Sequence, residues 1–368
     1  MKRWMSLITI VMSLAPDGTF AAGEQQPFDW SVPAVNIPQA DGYTGWINLV
    51  RVTGGLRADA VVGTWKVPGG DGSCSTYRLS DAWLNLWICE KQWISGKLAF
   101  QYEEGVDRFG DEPPPPGFGV DEAFVLVSDL LGSRFSLAAG YLLAPFGIYH
   151  DRWRFDSSFV SEPITSHLAE SHCRAATVHV DAGRFGGAVC AFNGTSDEGK
   201  DTDYIDSLVM NAWYLNGSFF GGMSWLSDLA ETDLALLGLN DPATADEGAN
   251  PRGVHFFAAL DKPFYFGHVE GVGALTAFSD DVLDLDGDGH GDQPLALNVE
   301  LGYRPENNIQ FVGRYEYAND APAAPRHRYG LVTRLYYSGT SSVAIEYLHA
   351  DLNPGREDTY SFQVGLVF

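Results

Sequence analysis

The 368-residue chain has little positive charge and, beyond its N-terminus, no long apolar run. Lysine and arginine number 23 against 48 acidic residues, which gives a net charge of −25. A nucleic-acid partner is excluded, because phosphates need a basic surface. A membrane-spanning helix needs about 20 apolar residues, and no segment reaches that length without charges. If the protein lies in a membrane, it must therefore cross the bilayer as a closed barrel of strands.

One short apolar run stands at the N-terminus. Lys2 and Arg3 precede this run, and small residues follow it. This order of charged, apolar and small residues predicts a secretory signal peptide over residues 1–22. We expect residues 23–42 to form a short periplasmic lead and residues 43–368 to form one barrel domain, since no linker divides the chain.

Apolar and polar side chains alternate with a period of two residues along most of the chain, which is typical of strands. The last ten residues, TYSFQVGLVF, end such a pattern on Phe368. An edge strand of a soluble sandwich and the closing strand of a membrane barrel both show this alternation. The connections favour the barrel, because after the second strand tight turns alternate with long polar loops, as short periplasmic turns and long extracellular loops do.

The sequence therefore predicts an all-β transmembrane antiparallel barrel of 16 strands. The predicted strands are 44–53, 75–88, 93–103, 120–128, 134–144, 172–180, 184–192, 204–215, 218–228, 252–262, 264–278, 294–304, 308–318, 327–338, 341–351 and 358–368. We assign segment 56–66 to the first long loop, because an additional strand would make the number odd. A last long loop is expected at 352–357.

Charged side chains in the middle of strands fall on the face opposite the apolar one. Charge is costly against lipid and ordinary in a wet lumen. We therefore expect these side chains to line the lumen and to set its ion selectivity. They are Lys97, Arg134, His268, Glu270, Glu300, Arg304, Arg314, Glu316, Arg334 and Glu346.

Several stretches resemble the LbtU-type siderophore porin family. They are DAWLNLWICEKQWISGKLAFQYEE at 81–104, DEAFVLVSD at 121–129, AAGYLLAPFG at 138–147 and SEPITSHLAESHCRAATVHV at 161–180. The family motif has glycine where Ala169 stands here. The resemblance implies an outer-membrane barrel and a route for a ferric siderophore or another small polar solute.

The loop 145–171 is the longest of the predicted loops, and we expect it to fold inward and narrow the lumen. It contains most of the family motif. The expected constriction residues are Pro145, Phe146, Gly147, Pro163, Thr165, Leu168 and Glu170.

The stretch DLDGDGHGD at 284–292 places oxygen ligands at alternate positions around a glycine, as an EF-hand loop does. Leucine stands where that loop has its bidentate glutamate, so we expect weak affinity. The alternative is a solvated acidic loop. The predicted calcium ligands are Asp284, Asp286, Asp288, His290 and Asp292. No organic cofactor is expected.

Two further sites are suggested by histidine and cysteine spacing. His167, Glu170 and His172 could hold a transition metal, with packing inside the constriction loop as the alternative. In an oxidising compartment, Cys173 and Cys190 would form a cross-strand disulfide if their strands place them roughly opposite. Pairing of Cys74 with another cysteine at the outer end is the rival arrangement.

The predicted function is an outer-membrane channel for small polar solutes, and not an enzyme. The alternatives are a calcium-dependent surface adhesin or structural barrel and, more remotely, a lipid hydrolase, although no serine motif accompanies a histidine as that chemistry needs. The expected partners are outer-membrane lipid and lipopolysaccharide, the barrel-assembly machinery acting on the strand that ends at Phe368, and the solute or siderophore. A homo-oligomer is left open.

Overall fold

The computed structural model is a closed barrel of sixteen antiparallel strands, which confirms the predicted fold. It describes residues 49–68, 70–91, 93–103, 117–128, 130, 133–147, 159–193, 205, 207–232, 251–278, 291–306, 308–321, 324–338, 341–352 and 355–367. The predicted signal peptide, the predicted periplasmic lead and Phe368 lie outside these residues.

Each strand pairs with its neighbours in sequence, and the last strand pairs with the first to close the barrel. The strands are β1 (Leu49–Val67), β2 (Gly70–Lys91), β3 (Ile94–Glu103), β4 (Gly117–Val127), β5 (Phe135–Leu143), β6 (His172–Asp181), β7 (Phe185–Asn193), β8 (Ser207–Asn216), β9 (Phe219–Leu226), β10 (Gly253–Asp261), β11 (Tyr265–Ala274), β12 (Leu295–Glu306), β13 (Ile309–Asn319), β14 (His327–Ser338), β15 (Ser341–Leu352) and β16 (Gly355–Val367). Closure runs from the pair Gly55–Val367 to the pair Lys66–Arg356.

The first and last connections at the loop end differ from the prediction. Segment 56–66 belongs to β1, and only two residues join β1 to β2. Two residues also join β15 to β16, where a loop at 352–357 was expected. The first error arose because segment 56–66 was counted as an additional strand that would make the strand number odd, whereas it continues the same strand as residues 49–55. The backbone pairing of β15, β16, β1 and β2 extends through both predicted loops.

The barrel is apolar outside and polar inside. Large hydrophobic side chains on the outer face are exposed, for example Leu301 at 69% and Leu331 at 68%. On these strands and on β13 between them, the alternate side chains are buried, and they include Glu300 and Glu316. Alternation along each strand produces these two faces, because successive side chains point to opposite sides of a sheet.

Helices are few among the described residues. A helix α1 spans Ile164–Ala169, and a 3-10 turn spans Leu229–Glu231. Across the described part of the chain, neither the length nor the hydropathy of any helix is sufficient to span a bilayer.

Candidate functional site

The chain between β5 and β6 enters the barrel. Residues 159–171, here called the inward segment, include α1 and return the chain to β6. β5 and β6 are neighbours, yet the inward segment bonds to side chains on β11, β13 and β15. Those side chains point into the barrel, so the segment reaches them across the lumen.

Three buried carboxylates on the inner face hold the inward segment. Glu346 accepts backbone N–H groups of Val160 at 2.5 Å and Ser161 at 3.2 Å. The first N–H group of α1 donates to Glu316 at 2.6 Å. The hydroxyl of Thr165 donates to Glu270 at 2.7 Å. Buried N–H groups need acceptors, and bonds to a charged acceptor are stronger than neutral ones.

Two arginines complete this arrangement. Arg314 donates to Glu300 at 2.7 Å and to the carbonyl oxygen of Ser161 at 2.8 Å, and its guanidinium lies 4.0 Å from the ring centre of Phe159. Arg328 pairs with Glu316 and donates to the carbonyl oxygen of Glu162 at 2.5 Å. We call the set that bonds the segment the latch. It consists of Glu270, Arg314, Glu316, Arg328 and Glu346.

The latch changes the role expected for these charges. Glu270, Glu300, Arg314, Glu316 and Glu346 all belong to the inner face, and each is no more than 4% exposed. The inward segment covers these side chains. Their charges therefore interact with the segment and not directly with a solute in the lumen.

The start of the loop is anchored on a neighbouring part of the wall. The amide of Asn211 on β8 donates to the carbonyl of Pro145 at 3.1 Å, and the N–H group of Gly147 donates to the hydroxyl of Ser224 on β9 at 3.2 Å. The ring of Phe146 stands edge-on to His255, with ring centres 6.0 Å apart. Pro145, Phe146 and Gly147 therefore lie against the inner wall.

His255 on β10 joins the two anchored parts of the loop. Its Nε2 lies 2.8 Å from Glu270, which also holds Thr165, and its Nδ1 lies 3.3 Å from the hydroxyl of Ser224. The side chain is fully buried. Sequence reasoning missed this residue, although its place in the alternation of β10 puts it on the inner face.

Beneath α1 the inner wall is apolar. Leu168 and Ala169 are buried in one cluster with Val272, Ala296 and Phe192. Burial of a leucine side chain contributes about 1.5–3 kcal/mol. Gly147 has φ +95°, and a Cβ there would lie 2.6 Å from Cβ of Ala169. Glycine is therefore required where the loop passes α1.

The strands β16, β1, β2, β3 and β4 continue the wall from β15, so that β3 and β4 come to oppose β11 and β12 across the lumen, and we call the inner face of these five strands the facing wall. Its charges are neutralised mainly by each other. Arg78 lies 3.7 Å from Asp59, and Lys97 forms an ion pair with Glu122. Further side chains of the facing wall are Arg57, Asp81, Asn85, Trp83, Trp87 and Gln101.

Two tryptophans on the facing wall each lie close to a cationic side chain. The guanidinium of Arg57 lies 5.5 Å from the ring centre of Trp83, and Nζ of Lys97 lies 5.7 Å from that of Trp87. These are distances at which a cation is attracted to an aromatic face. Both signs of charge are thus interleaved with flat apolar surfaces along this half of the barrel.

The other predicted lumen residues lie away from the latch. Arg134 precedes β5 and is exposed at the turn end of the barrel. Arg304 lies near the end of β12, 2.6 Å from Asp261. Arg334 donates to Gln363 at 3.3 Å, and His268 lies 3.0 Å from the amide of Asn298.

The predicted metal sites have different outcomes. Asp284, Asp286, Asp288 and His290 lie outside the described residues, so the calcium site stays a prediction. Within the described ranges, no three His, Cys, Asp or Glu side chains are arranged to hold a metal ion. His167 instead lies 3.8 Å from Glu162, and His172 lies 3.1 Å from Asp121 and 3.7 Å from Glu170.

The predicted disulfide is not formed. Cys173 and Cys190 are both buried free thiols. The register places Cys190 opposite Thr177, four residues along β6 from Cys173. The turn between β6 and β7 sets the two cysteines out of direct cross-strand register, yet their side chains lie close enough to form a hydrogen bond with each other.

Comparison with known proteins supports the fold class. No protein-family model matches the chain. It is 26% identical over 282 residues to UPF0422 protein lpg2959 of Legionella pneumophila, covering 70% of this chain and 51% of the relative. A second relative, UPF0422 protein lpl2888 from the Lens strain of the same species, has the same identity and coverage. The chain therefore spans about half the length of these curated relatives.

Solved structures with the same fold are porins and outer-membrane channels. OmpF of Salmonella typhi, in complex with daunomycin, superimposes with a TM-score of 0.60 at 11% identity, covering 87% of this chain and 97% of that chain. The outer membrane channel DcaP of Acinetobacter baumannii gives 0.56 at 12% identity with the same coverage. The anion-selective porin of Comamonas acidovorans gives 0.56 at 10% identity, covering 87% and 99%. The molecule thus has a porin-like barrel fold.

Proposed function

We propose that the protein is an outer-membrane channel through which small polar solutes diffuse. The observation that carries the proposal is the inward segment, which lies inside a closed barrel and is bonded to β11, β13 and β15. A chain segment held against the inner wall in this way narrows the lumen.

The placement in the outer membrane follows from the two faces and the connections. The outer face is apolar over the height of the strands and carries tyrosines near their ends, as a lipid-facing surface does. After β2, most connections alternate between short turns and longer loops. The similar structures DcaP and OmpF are an outer membrane channel and a porin by name.

Selectivity in this proposal comes from the facing wall. Arg57 and Arg78, which are only partly buried, supply positive charge, and the buried Lys97, Asp59, Asp81 and Glu122 belong to the same inner face. On the inward segment, the side chain of Glu162 is 36% exposed. Charges on both sides of a narrow passage act strongly on a passing ion, because low-dielectric walls focus the field.

The test is single-channel conductance of the purified, refolded protein in a planar bilayer. Steady conductance with a defined ion selectivity is the expected result. A folded barrel that inserts but carries no current would overturn the proposal and favour the adhesive or structural barrel. Repeating the recording with and without calcium tests the predicted ligands in loop 284–292, because bound calcium would alter conductance or selectivity.

A ferric siderophore is the second solute class, and the resemblance of segments 81–104 and 138–180 to siderophore porins favours it. Proteoliposomes separate the two classes. They would be loaded with the purified protein and offered a radiolabelled ferric siderophore or a small sugar. Entry of the sugar alone supports a general channel, whereas faster entry of the ferric siderophore assigns the narrower role.

A further inference from the structure

One buried arginine on the inner wall bonds only to neutral side chains of the described residues. Arg334 on β14 is 6% exposed. Its Nη1 donates to the hydroxyl of Ser342 at 3.1 Å, and its Nη2 donates to the amide oxygen of Gln363 at 3.3 Å. Its Nε–H group is buried and has no acceptor. Buried charges in proteins are normally paired, because removing an ion from water is costly.

The other buried arginines of the inner wall show the usual arrangement. The guanidinium of Arg314 forms an ion pair with Glu300, and that of Arg328 forms an ion pair with Glu316. Arg334 forms no ion pair with any residue that the structure describes. Its positive charge is therefore not neutralised in the way that the charges of the latch are.

The strand register explains why this arginine lacks a carboxylate partner. Gln310 on β13 and Ala344 on β15 stand directly opposite Arg334, and both are uncharged. Alanine has no side chain beyond Cβ, so the guanidinium extends over Ala344 to Gln363 on β16. Glu346 is the next inward residue of β15, but its carboxylate accepts N–H groups of the inward segment and forms no ion pair with Arg334.

The same row of the wall continues beyond Gln363 with one carboxylate and a second arginine. Asp59 on β1 is opposite Gln363, and Arg78 on β2 is opposite Asp59. The carboxylate of Asp59 lies 3.7 Å from the guanidinium of Arg78 and forms no ion pair with that of Arg334. Along this row two guanidinium groups thus accompany a single carboxylate. The excess positive charge favours an anion from outside the protein.

We infer that Arg334 is the centre of a binding site for the carboxylate or phosphate group of a solute in the lumen. A guanidinium can direct Nε–H and an adjacent N–H group at two oxygens of one anion. Ser342 and Gln363 hold the guanidinium in place for this contact. The inference rests on the proposed channel function and narrows its solute class to small anions, such as organic acids and phosphate esters.

The test is titration calorimetry of the purified barrel in detergent, which measures binding without any current. The probes are glycerate, glycerol phosphate and inorganic phosphate, with neutral glycerol as the matched solute. The three anions are expected to bind and glycerol is not. Gln363→Glu places a carboxylate where Arg334 already donates, so anion binding is expected to weaken roughly tenfold or more.

Two further variants complete the test. Arg334→Gln removes the guanidinium and is expected to weaken anion binding by a similar factor, because charge-assisted hydrogen bonds are lost. Arg184→Gln removes an exposed cation from the turn between β6 and β7 and is expected to bind the anions normally. If Arg334→Gln does not fold, Gln363→Glu decides the question, because it keeps every native cation.

Undiminished anion binding by Gln363→Glu would overturn the inference. Binding of inorganic phosphate without glycerol phosphate or glycerate would show a site for a free anion only, and the solute assignment would be wrong. The calorimetry also separates this inference from the proposed function. A conducting barrel that binds none of the anions would refute the site alone, whereas a barrel that binds them but carries no current would refute the channel and retain the site.

Discussion

The two halves of the inner wall carry the same kinds of side chain and use them differently. On β11 to β15 the charges bond to the backbone of the inward segment, as Glu346 and Arg314 do. On the facing wall they pair with each other, as Arg78 and Asp59 do. Inward-facing charges therefore hold the inward segment in place on β11 to β15, and they line the lumen on the facing wall. Only the tertiary contact distinguishes the two roles.

The largest expected effect comes from breaking the latch. In Glu316→Gln, Arg328 loses its charged partner and the first N–H group of α1 loses a strong acceptor. Loss of one member of a buried ion pair costs about 3–5 kcal/mol. We expect a lower free energy of unfolding and a larger, noisier conductance, measured by urea unfolding in detergent and by single-channel recording.

The matched control for this latch variant is Asp181→Asn, which removes one carboxylate from an exposed turn. It is expected to change neither stability nor conductance. A Glu316→Gln channel as quiet and as stable as the unmodified one would show that the segment is held by other means.

A smaller loss of stability is expected from the apolar side of the inward segment. Leu168 is 1% exposed beneath α1, so Leu168→Ala leaves a cavity and is expected to cost about 2–4 kcal/mol. Leu331→Ala, on the exposed outer face, is the control and is expected to cost about 1 kcal/mol or less. Urea unfolding of both variants in the same detergent makes the comparison. If Leu168→Ala and Leu331→Ala lowered the free energy of unfolding equally, α1 would not be packed on the inner wall.

The facing wall is expected to control selectivity without controlling stability. Arg78→Gln removes a positive charge from the passage, so cations are expected to pass more easily relative to anions. The reversal potential across a salt gradient measures this. Arg314→Gln removes a cation from the latch instead. It is expected mainly to lower the free energy of unfolding, because the Arg314 guanidinium is buried against Glu300. If the two variants shift the reversal potential equally without loss of stability, the distinction between the halves fails.

The smallest effect is expected at the turn end. Arg304 and Asp261 form a partly exposed pair, 2.6 Å apart. Such pairs typically contribute about 0–1 kcal/mol. Arg304→Gln is therefore expected to unfold within about 1 kcal/mol of the unmodified protein, and chemical denaturation in 1 M salt is expected to reduce even that difference. If Arg304→Gln lowered the free energy of unfolding as much as Glu316→Gln does, the pair Arg304–Asp261 would be a second structural anchor, located at the turn end of the barrel.

The barrel was predictable from the chain because alternation and turn spacing are local signals. The fifteenth strand follows the pattern of Val343, Ile345 and Tyr347 against Glu346 without any knowledge of contacts. The long β1–β2 hairpin was missed, because segment 56–66 was assigned to a loop to keep the strand number even, whereas it continues β1. The bonds from Glu270 to Thr165 and His255 were also beyond prediction, because they join residues far apart in sequence.

The most direct test of the central claim uses two asparagines on the inner face. Asn85 lies on the facing wall, and Asn298 is fully buried beside the latch. Each would be changed to cysteine in a variant whose four native cysteines are serine, and a charged thiol reagent would be added during conductance recording. The account predicts rapid modification and reduced current for Asn85→Cys, with Asn298→Cys protected. Modification of both positions at the same rate would contradict a passage confined to the facing wall.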